Sequence, residues 1–438
     1  MKKLFLFVGL VFLLVSCSNL ECIDASNTAS SYYCADEELL NSFSEAGYVD
    51  YKVARYFACA ELTQTASDFA WENISLSKFP LVIYNSLTEE PRYYEFRVLQ
   101  NGSEVGAVTC VADKNEGSPV KYILPFANQV ESSKARKAIS KNAIFVDSGY
   151  PTKLNVKIDS SRAINTVDGK EVNELETDIS ASEFINTASD TFLLELGLDS
   201  QQKIDDYLAS LEVEEERIEN LWQEIDRQSD LILEQDCDVL LKEVNSVSRA
   251  AEVPYDKKTL PKWENITGWT NPSSYCGPSC VSFILLGYGK DSGYVDIPTE
   301  DNEYLITAFY NEVEEKIGKG PKLFSDFRNF MENNSNYTLK TDFGHFWNTI
   351  KGNIDKGYPS ISLRSSKSFE SLAWHYRVVY GTKISHMSEN KSFLWWTWTN
   401  YYDECSYIMH DNGSDGGEFF YEAKFTGNHI WSAHVEKK

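Results

Sequence analysis

Positive charge is scarce in this 438-residue chain: 41 Lys and Arg stand against 66 Asp and Glu, a formal net charge of -25. A surface so acidic repels phosphate backbones, which excludes nucleic acid as a natural partner. Histidine is also rare, with six residues, so imidazole chemistry has few candidate positions. Beyond the N-terminal segment no run of about 18 apolar residues occurs, and no later membrane-spanning helix is expected. No CxxC pair finds a matching partner pair, so neither a structural zinc site nor another metal or cofactor is implied. Aromatic residues are plentiful, at 25 Tyr, 24 Phe and 10 Trp, and the hydrophobic fraction of 42% supplies enough apolar surface for folded, β-containing cores.

The N-terminus reads as an export signal. Met1-Lys2-Lys3 is a basic start, and Leu4 to Val15 is an apolar run too short for a comfortable bilayer span. The run closes on Leu14-Val15-Ser16-Cys17, which resembles the lipobox of bacterial lipoproteins. That resemblance implies cleavage before Cys17, lipidation of its thiol, and a protein held on the exported side of a membrane in the bacterial cell envelope. The other cysteines are Cys22, Cys34, Cys59, Cys110, Cys237, Cys276, Cys280 and Cys405. Export permits disulfides among them; Cys22–Cys34 and Cys59–Cys110 are candidate pairs, with the connectivity open.

Residues 1–17 are thus taken as the signal and lipid attachment point, and residues 18–33, polar and rich in Ser, Asn and Asp, as a tether. Residues 34–197 form an α+β module. Apolar spacing predicts a helix between Val49 and Ala66, and strands follow at 81–84, 93–99 and 105–111. Asn101-Gly102 is a strong hairpin turn signal between the last two. Further strand-like pieces lie at 143–146 and 154–158. The run Pro91-Arg92-Tyr93-Tyr94-Glu95-Phe96 resembles the small pro-domains that precede some secreted peptidases. Residues 198–250 are acidic and helical: Ile204, Leu211, Ile218, Ile225, Ile232 and Val239 recur every seven residues, one stripe of a helix laid along another element. Residues 251–438 form the C-terminal domain.

The chemistry concentrates there. Cys276-Gly277-Pro278 ends a polar loop and opens an apolar helix, where Pro278 is tolerated in the first turn. At a helix N-terminus the macrodipole favours a thiolate, hence a nucleophile. The segment from Cys276-Gly277-Pro278 to Tyr288-Gly289 resembles the papain-like cysteine peptidases, within them the bacteriocin-processing type. Cys280-Val281-Ser282 resembles the streptopain type and makes Cys280 a rival, although one turn into a helix a side chain is more often buried. The family order of Cys, then His at the start of a strand, then Asp or Asn falls on His375 in Trp374-His375-Tyr376-Arg377-Val378-Val379 and on Asp411 in Tyr407-Ile408-Met409-His410-Asp411-Asn412-Gly413. His386 and His410 are weaker rivals, and Asn412 is an alternative to Asp411 for orienting the imidazole through Nδ1. The resemblance implies a Gln six residues before the nucleophile as oxyanion donor; Thr270 stands there, and Asn271 is nominated instead. The aromatic run Phe393 to Tyr402 reads as ordinary sheet packing, with a substrate-facing wall as the other reading.

Together these readings imply an α+β protein with a papain-like C-terminal domain, in which a Cys-bearing helix packs on an antiparallel sheet. The small α+β module and the long acidic helix precede it. The function implied is that of a membrane-anchored cysteine peptidase. It would hydrolyse peptide bonds of a peptide or protein substrate through Cys276, His375 and Asp411 and a thioester intermediate. The alternative is a surface binding or adhesion lipoprotein built on an inactive peptidase-like domain.

Overall fold

The computed structural model describes residues 34–125, 143–147, 154–166, 170–173, 175–234, 236–246, 255–264, 275–299, 302–320, 322–368, 372–386, 403–411, 419–423 and 429–438. Cys17, Cys22, Thr270, Asn271, Asn412 and the aromatic run 393–402 lie outside the described residues. The protein is mixed α and β, as its patterning predicts.

The N-terminal half opens with α1 (Glu37–Glu45) and α2 (Tyr51–Thr65), whose N-caps Asp36 and Asp50 accept hydrogen bonds at 2.7 Å from Leu39 N and Lys52 N. Val53, Ala54, Phe57, Ala58 and Leu62 give α2 a buried face. Among the described residues ten strands follow: β1 (Ile74–Leu76), β2 (Leu81–Asn85), β3 (Pro91–Gln100), β4 (Ser103–Val111), β5 (Val120–Pro125), β6 (Phe145–Asp147), β7 (Leu154–Lys157), β8 (Ala163–Asn165), β9 (Glu171–Val172) and β10 (Glu176–Asp178). Asn101 and Gly102 join β3 to β4 with φ of +52° and +77°, the double left-handed turn that matches strand twist.

Five helices lead out of this half: α3 (Ala181–Thr187), α4 (Asp190–Glu195), α5 (Gln201–Arg227), α6 (Ser229–Leu233) and α7 (Cys237–Ser246). The single long helix expected over 200–247 is therefore divided. It breaks first at Gln228, whose φ of -104° and ψ of 3° are non-helical, and again before Cys237. The seven-residue stripe faces inward at Leu211, Ile218, Ile225 and Ile232, which are buried, while Ile204 is half-buried and Val239, beyond both breaks, is exposed. This helix clamps both halves of the molecule: Trp222 Nε1 donates to Gly117 O at 2.8 Å beside the first sheet region, and buried Tyr207 donates its hydroxyl to Ile430 O in the second.

The C-terminal half adds α8 (Pro261–Glu264), α9 (Cys276–Tyr288), α10 (Glu303–Ile317), α11 (Phe324–Asn334) and α12 (Trp347–Asp355). Its strands are β11 (Tyr255–Thr259), β12 (Tyr337–Thr341), β13 (Ser360–Ser368), β14 (Leu372–His386), β15 (Asp403–His410), β16 (Phe419–Ala423) and β17 (His429–Lys437). They run antiparallel in the order β12-β17-β13-β14-β15-β16, with β11 alongside the far end of β14. Helix α9 is apolar on all sides and correspondingly central: Cys280, Val281, Phe283, Ile284 and Leu285 are fully enclosed. Two glycines permit that enclosure. A Cβ on Gly277 would fall 2.3 Å from the Phe327 ring, and one on Gly287 2.0 Å from Trp263.

The two halves share one hydrogen-bonded strand network. β5 pairs with β16 at Tyr122–Glu422 and Ile123–Tyr421, and β10 pairs with β13. Buried ion pairs reinforce the join. Arg364 meets Asp178, while Lys383, on β14 and sealed from water, lies 3.9 Å from Glu61 and 3.6 Å from Asp68 at the end of α2. Cys59 and Cys110 form no disulfide. Cys110 donates to Ala54 O at 3.2 Å, and Cys59 hydrogen-bonds Cys237 on α7. The pattern of strands alone could not anticipate this, because α7 returns from far along the chain to cover α2.

Tyr207→Phe leaves Ile430 O without its donor and should cost about 1–3 kcal/mol. Val213→Ala, at a residue 64% exposed on the same helix, should change stability by less than about 0.5 kcal/mol. Urea denaturation of the two variants checks this, and equal effects would contradict the clamp.

Candidate active site

Cys276 is the first residue of α9, preceded by Tyr275 in extended backbone (φ -70°, ψ 142°) that turns the chain into the helix. The first backbone N–H groups of a helix have no acceptor within it, and their dipoles present positive charge to the Cys276 side chain. Cys276 is partly buried at that mouth, whereas Cys280, one turn on, is fully enclosed. The rival thiol therefore faces the core, among groups that include Tyr310 and Tyr376.

His375 lies on β14, opposite Arg364 of β13. The strand begins three residues earlier than the motif suggests, at Leu372, because residues 372–374 already pair with β13. Asp411 directly follows β15, whose last residue, His410, pairs with Val378. One register step farther, Asp411 comes opposite Arg377, and His375 stands two residues away on the same face of β14. The geometry follows: His375 Nε2 is 2.9 Å from Asp411 Oδ1 and 3.1 Å from Oδ2, while Arg377 Nε donates to Oδ2 at 2.6 Å. The same imidazole is also hydrogen-bonded to Cys276. The structure thus brings together Cys276, His375 and Asp411.

The imidazole orientation differs from the expected one. Asp411 faces Nε2 rather than Nδ1. The reason is the diagonal offset across the strand pair, which sets the carboxylate against the far edge of the ring. The rival histidines are placed otherwise. His410 is buried and stacks on Phe283 of α9, with centroids 3.9 Å apart, so it packs helix to sheet. The His386 side chain lies outside the described residues. His429 meets Ser362 at 2.8 Å and His345 at 3.0 Å.

Electrostatics tie the three groups together. Burial alone would lower the His375 pKa, but the charges on Asp411 and Cys276 and the hydrogen bonds to both push it up to about 8. Burial would likewise raise Asp411. The His375 and Arg377 cations overcome it and hold the carboxyl well below the usual carboxylate range. Near neutral pH the pair therefore favours a carboxylate and an imidazolium beside the Cys276 sulfur. Such a set can deliver a nucleophile and a proton to one reacting centre.

Three features of the surroundings escape the sequence reading. Arg377 could have been suspected, since it shares a strand face with His375 in a His-x-Arg alternation. Phe184 and Phe192 could not. They come from α3 and α4 and pack on Trp374, with centroids 6.5 and 5.1 Å from its ring, beside His375. Glu195, at the end of α4, accepts from Ser325 N at 2.8 Å and so pins this segment to α11. Among the described residues no group of three or more His, Cys, Asp or Glu side chains is placed to hold a metal ion, and no helix is long and apolar enough to cross a membrane. No protein-family model matches this chain, and no curated protein matches it in sequence.

Because the folded pKa of His375 lies above the ordinary value of about 6.5, its ion pairs are fully present below that pH and are lost as pH rises through about 8. NMR of ring-labelled histidine should show one imidazole titrating near pH 8, moving to lower pH in Asp411→Asn. A midpoint near 6.5 in the native protein would contradict the assigned contacts.

Proposed function

We propose that the protein is a cysteine peptidase of papain-like type, with Cys276 as nucleophile, His375 as general acid and base, and Asp411 as the group that orients the imidazole. The observation that carries this reading is the single imidazole hydrogen-bonded at once to a thiol at a helix N-terminus and to a buried carboxylate. Support for the papain-like arrangement comes from the enclosed α9, which packs through Phe283 against Tyr380 and His410 of the sheet that bears His375.

In the reaction the Cys276 sulfur attacks the carbonyl carbon of a peptide bond. The developing oxyanion is met by the backbone N–H of Cys276 and by Asn271, which lies outside the described residues. The His375 imidazolium protonates the departing amine nitrogen, the C–N bond breaks, and a thioester remains. Neutral His375 then takes a proton from water, whose oxygen attacks the thioester carbon and expels the sulfur. The products are a carboxylate and an amine. Arg377 makes no contact with substrate in this scheme. It positions Asp411. The lipobox resemblance at Cys17 adds the proposal that the enzyme works tethered to a membrane in the cell envelope, on peptide or protein substrates there.

Treatment of the full chain with a peptide chloromethyl ketone should modify one cysteine stoichiometrically. Peptide mapping should place the label on Cys276 and leave Cys280 unlabelled. Cys276→Ala should abolish labelling, and His375→Ala should slow it by roughly 10²–10⁴-fold. The rate of peptide hydrolysis by the native protein should fall as pH rises through about 8, where the imidazolium that protonates the departing amine is lost. A native protein that does not react would overturn the proposal and favour a binding protein on a peptidase-like frame. Separately, Cys17→Ala should move the protein from the membrane fraction to the soluble fraction of the cells that export it.

A further inference from the structure

Away from Cys276 the fold sets two other thiols against each other. Cys59 lies in the third turn of α2, and Cys237 is the first residue of α7, which packs across that helix. Cys59 is fully enclosed, Cys237 is 6% exposed, and the two side chains are hydrogen-bonded to each other. Two helices that place thiols within hydrogen-bonding reach bring the two Cβ–S arms toward the close approach a disulfide needs.

A second arrangement points the same way. Arg55 stands one turn before Cys59 on α2. Its Nε and Nη2 are held by Ser77 O at 3.0 Å and Leu76 O at 3.3 Å, and Nη2 also binds Asp238 Oδ1 at 2.9 Å, next to Cys237. The guanidinium is thereby fixed beside both sulfurs, and the N-terminus of α7 adds positive potential at Cys237. The hydrogen bond from Cys59 and the Arg55 charge draw the Cys237 thiol below its ordinary value, while Cys59 is raised as the partner that keeps its proton. An asymmetric pair of this kind has one sulfur ready to attack and one ready to resolve.

We infer that Cys59 and Cys237 are a dithiol–disulfide pair, a covalent clasp between the N-terminal module and the end of the acidic helical segment that leads into the C-terminal domain. The oxidant is a disulfide-bearing donor, RSSR, such as a small-molecule disulfide. The Cys237 thiolate attacks one sulfur of RSSR; a Cys237–SR bond forms, the RS–SR bond breaks, and one thiolate leaves. Cys59, on losing its proton, attacks the Cys237 sulfur and expels the second thiolate. Two protein thiols are oxidised to one disulfide, one RSSR is reduced, and the two protons end on two RSH. Because both sulfurs are shielded, exchange requires α7 to lift locally from α2, so the reaction is slower than that of an exposed thiol. The inference does not depend on the peptidase reading, since neither cysteine contributes to the Cys276 centre.

The test uses the full chain carrying Cys276→Ala, so that the reactive thiol does not scramble the products. The protein is equilibrated with oxidised or with reduced glutathione, quenched in acid, denatured, alkylated with iodoacetamide and mapped by mass spectrometry. In oxidised glutathione a Cys59–Cys237 linked peptide should appear, with a mass about 2 Da below that of the two thiols, one hydrogen lost from each. The oxidised protein should also melt several degrees higher than the reduced one, a difference that Cys59→Ser and Cys237→Ser abolish. Full alkylation of both cysteines after oxidation, or either one bonded to a different cysteine, would overturn the inference. So would a disulfide that leaves the melting temperature unchanged. If either serine variant fails to fold, the peptide map of the chain with both cysteines intact decides.

Discussion

A carboxylate sealed from water must be matched by positive charge, and the arrangement around Asp411 follows from that requirement. Its side chain is wholly enclosed and is met from one strand by Arg377 and His375, two residues apart on the same face. An isolated buried charge would cost several kcal/mol, whereas two charged donors in short contact offset that cost and fix the ring they touch. Arg377 is the constant member of the pair, because its charge does not titrate in the accessible range. It holds Asp411 ionised whether or not His375 carries its proton, so the imidazole can change state without the carboxylate following. The Cys276 side of the ring is then set by the start of α9, an element locked by the close passage of Phe327 over Gly277.

The site is not the property of the C-terminal half alone. β10 extends the edge of β13, the strand that pairs with His375, and Ser365 Oγ donates to Ile179 O at 2.8 Å just beyond it. Helices α3 and α4 then place Phe184 and Phe192 on Trp374. The ring next to the imidazole is thus held from the other half of the chain, and residues 176–195 belong to the site as structural neighbours.

Much of the fold is legible along the chain because its signals are local. The Asn-Gly turn, the α2 periodicity and the β3–β4 alternation each report on a few neighbouring residues, and each reappears in the structure within a few residues. The inward stripe of the acidic segment is legible too, but its breaks are not: Gln228 carries no marker of a helix end. In the site, Cys276, His375 and Asp411 can be picked out because each sits in a short, recognisable run of residues, although His375 lies inside its strand rather than at its start. Their relative placement depends on strand register, which pairs residues far apart in sequence, and so the choice of imidazole nitrogen was not readable. The same limit explains Cys59. Cys110 is one candidate partner for it in the sequence, whereas its contact is with Cys237, brought back by a helix whose docking no local pattern encodes.

The seam between β5 and β16 bears on how this protein reaches its shape. Tyr122 pairs opposite Glu422, so most of the chain must be available before that part of the sheet can close. Closing so large a loop demands its entropy in advance of the contacts that repay it, which makes folding slow and leaves the edges of β5 and β16 uncovered meanwhile. A chain emerging N-terminus first can complete α2 and the β2–β4 meander early, but the sheet that aligns His375 with Asp411 waits for the last strands. Assembly of the Cys276–His375–Asp411 cluster is therefore timed by the strand that precedes Asp411 rather than by the helix that carries the thiol.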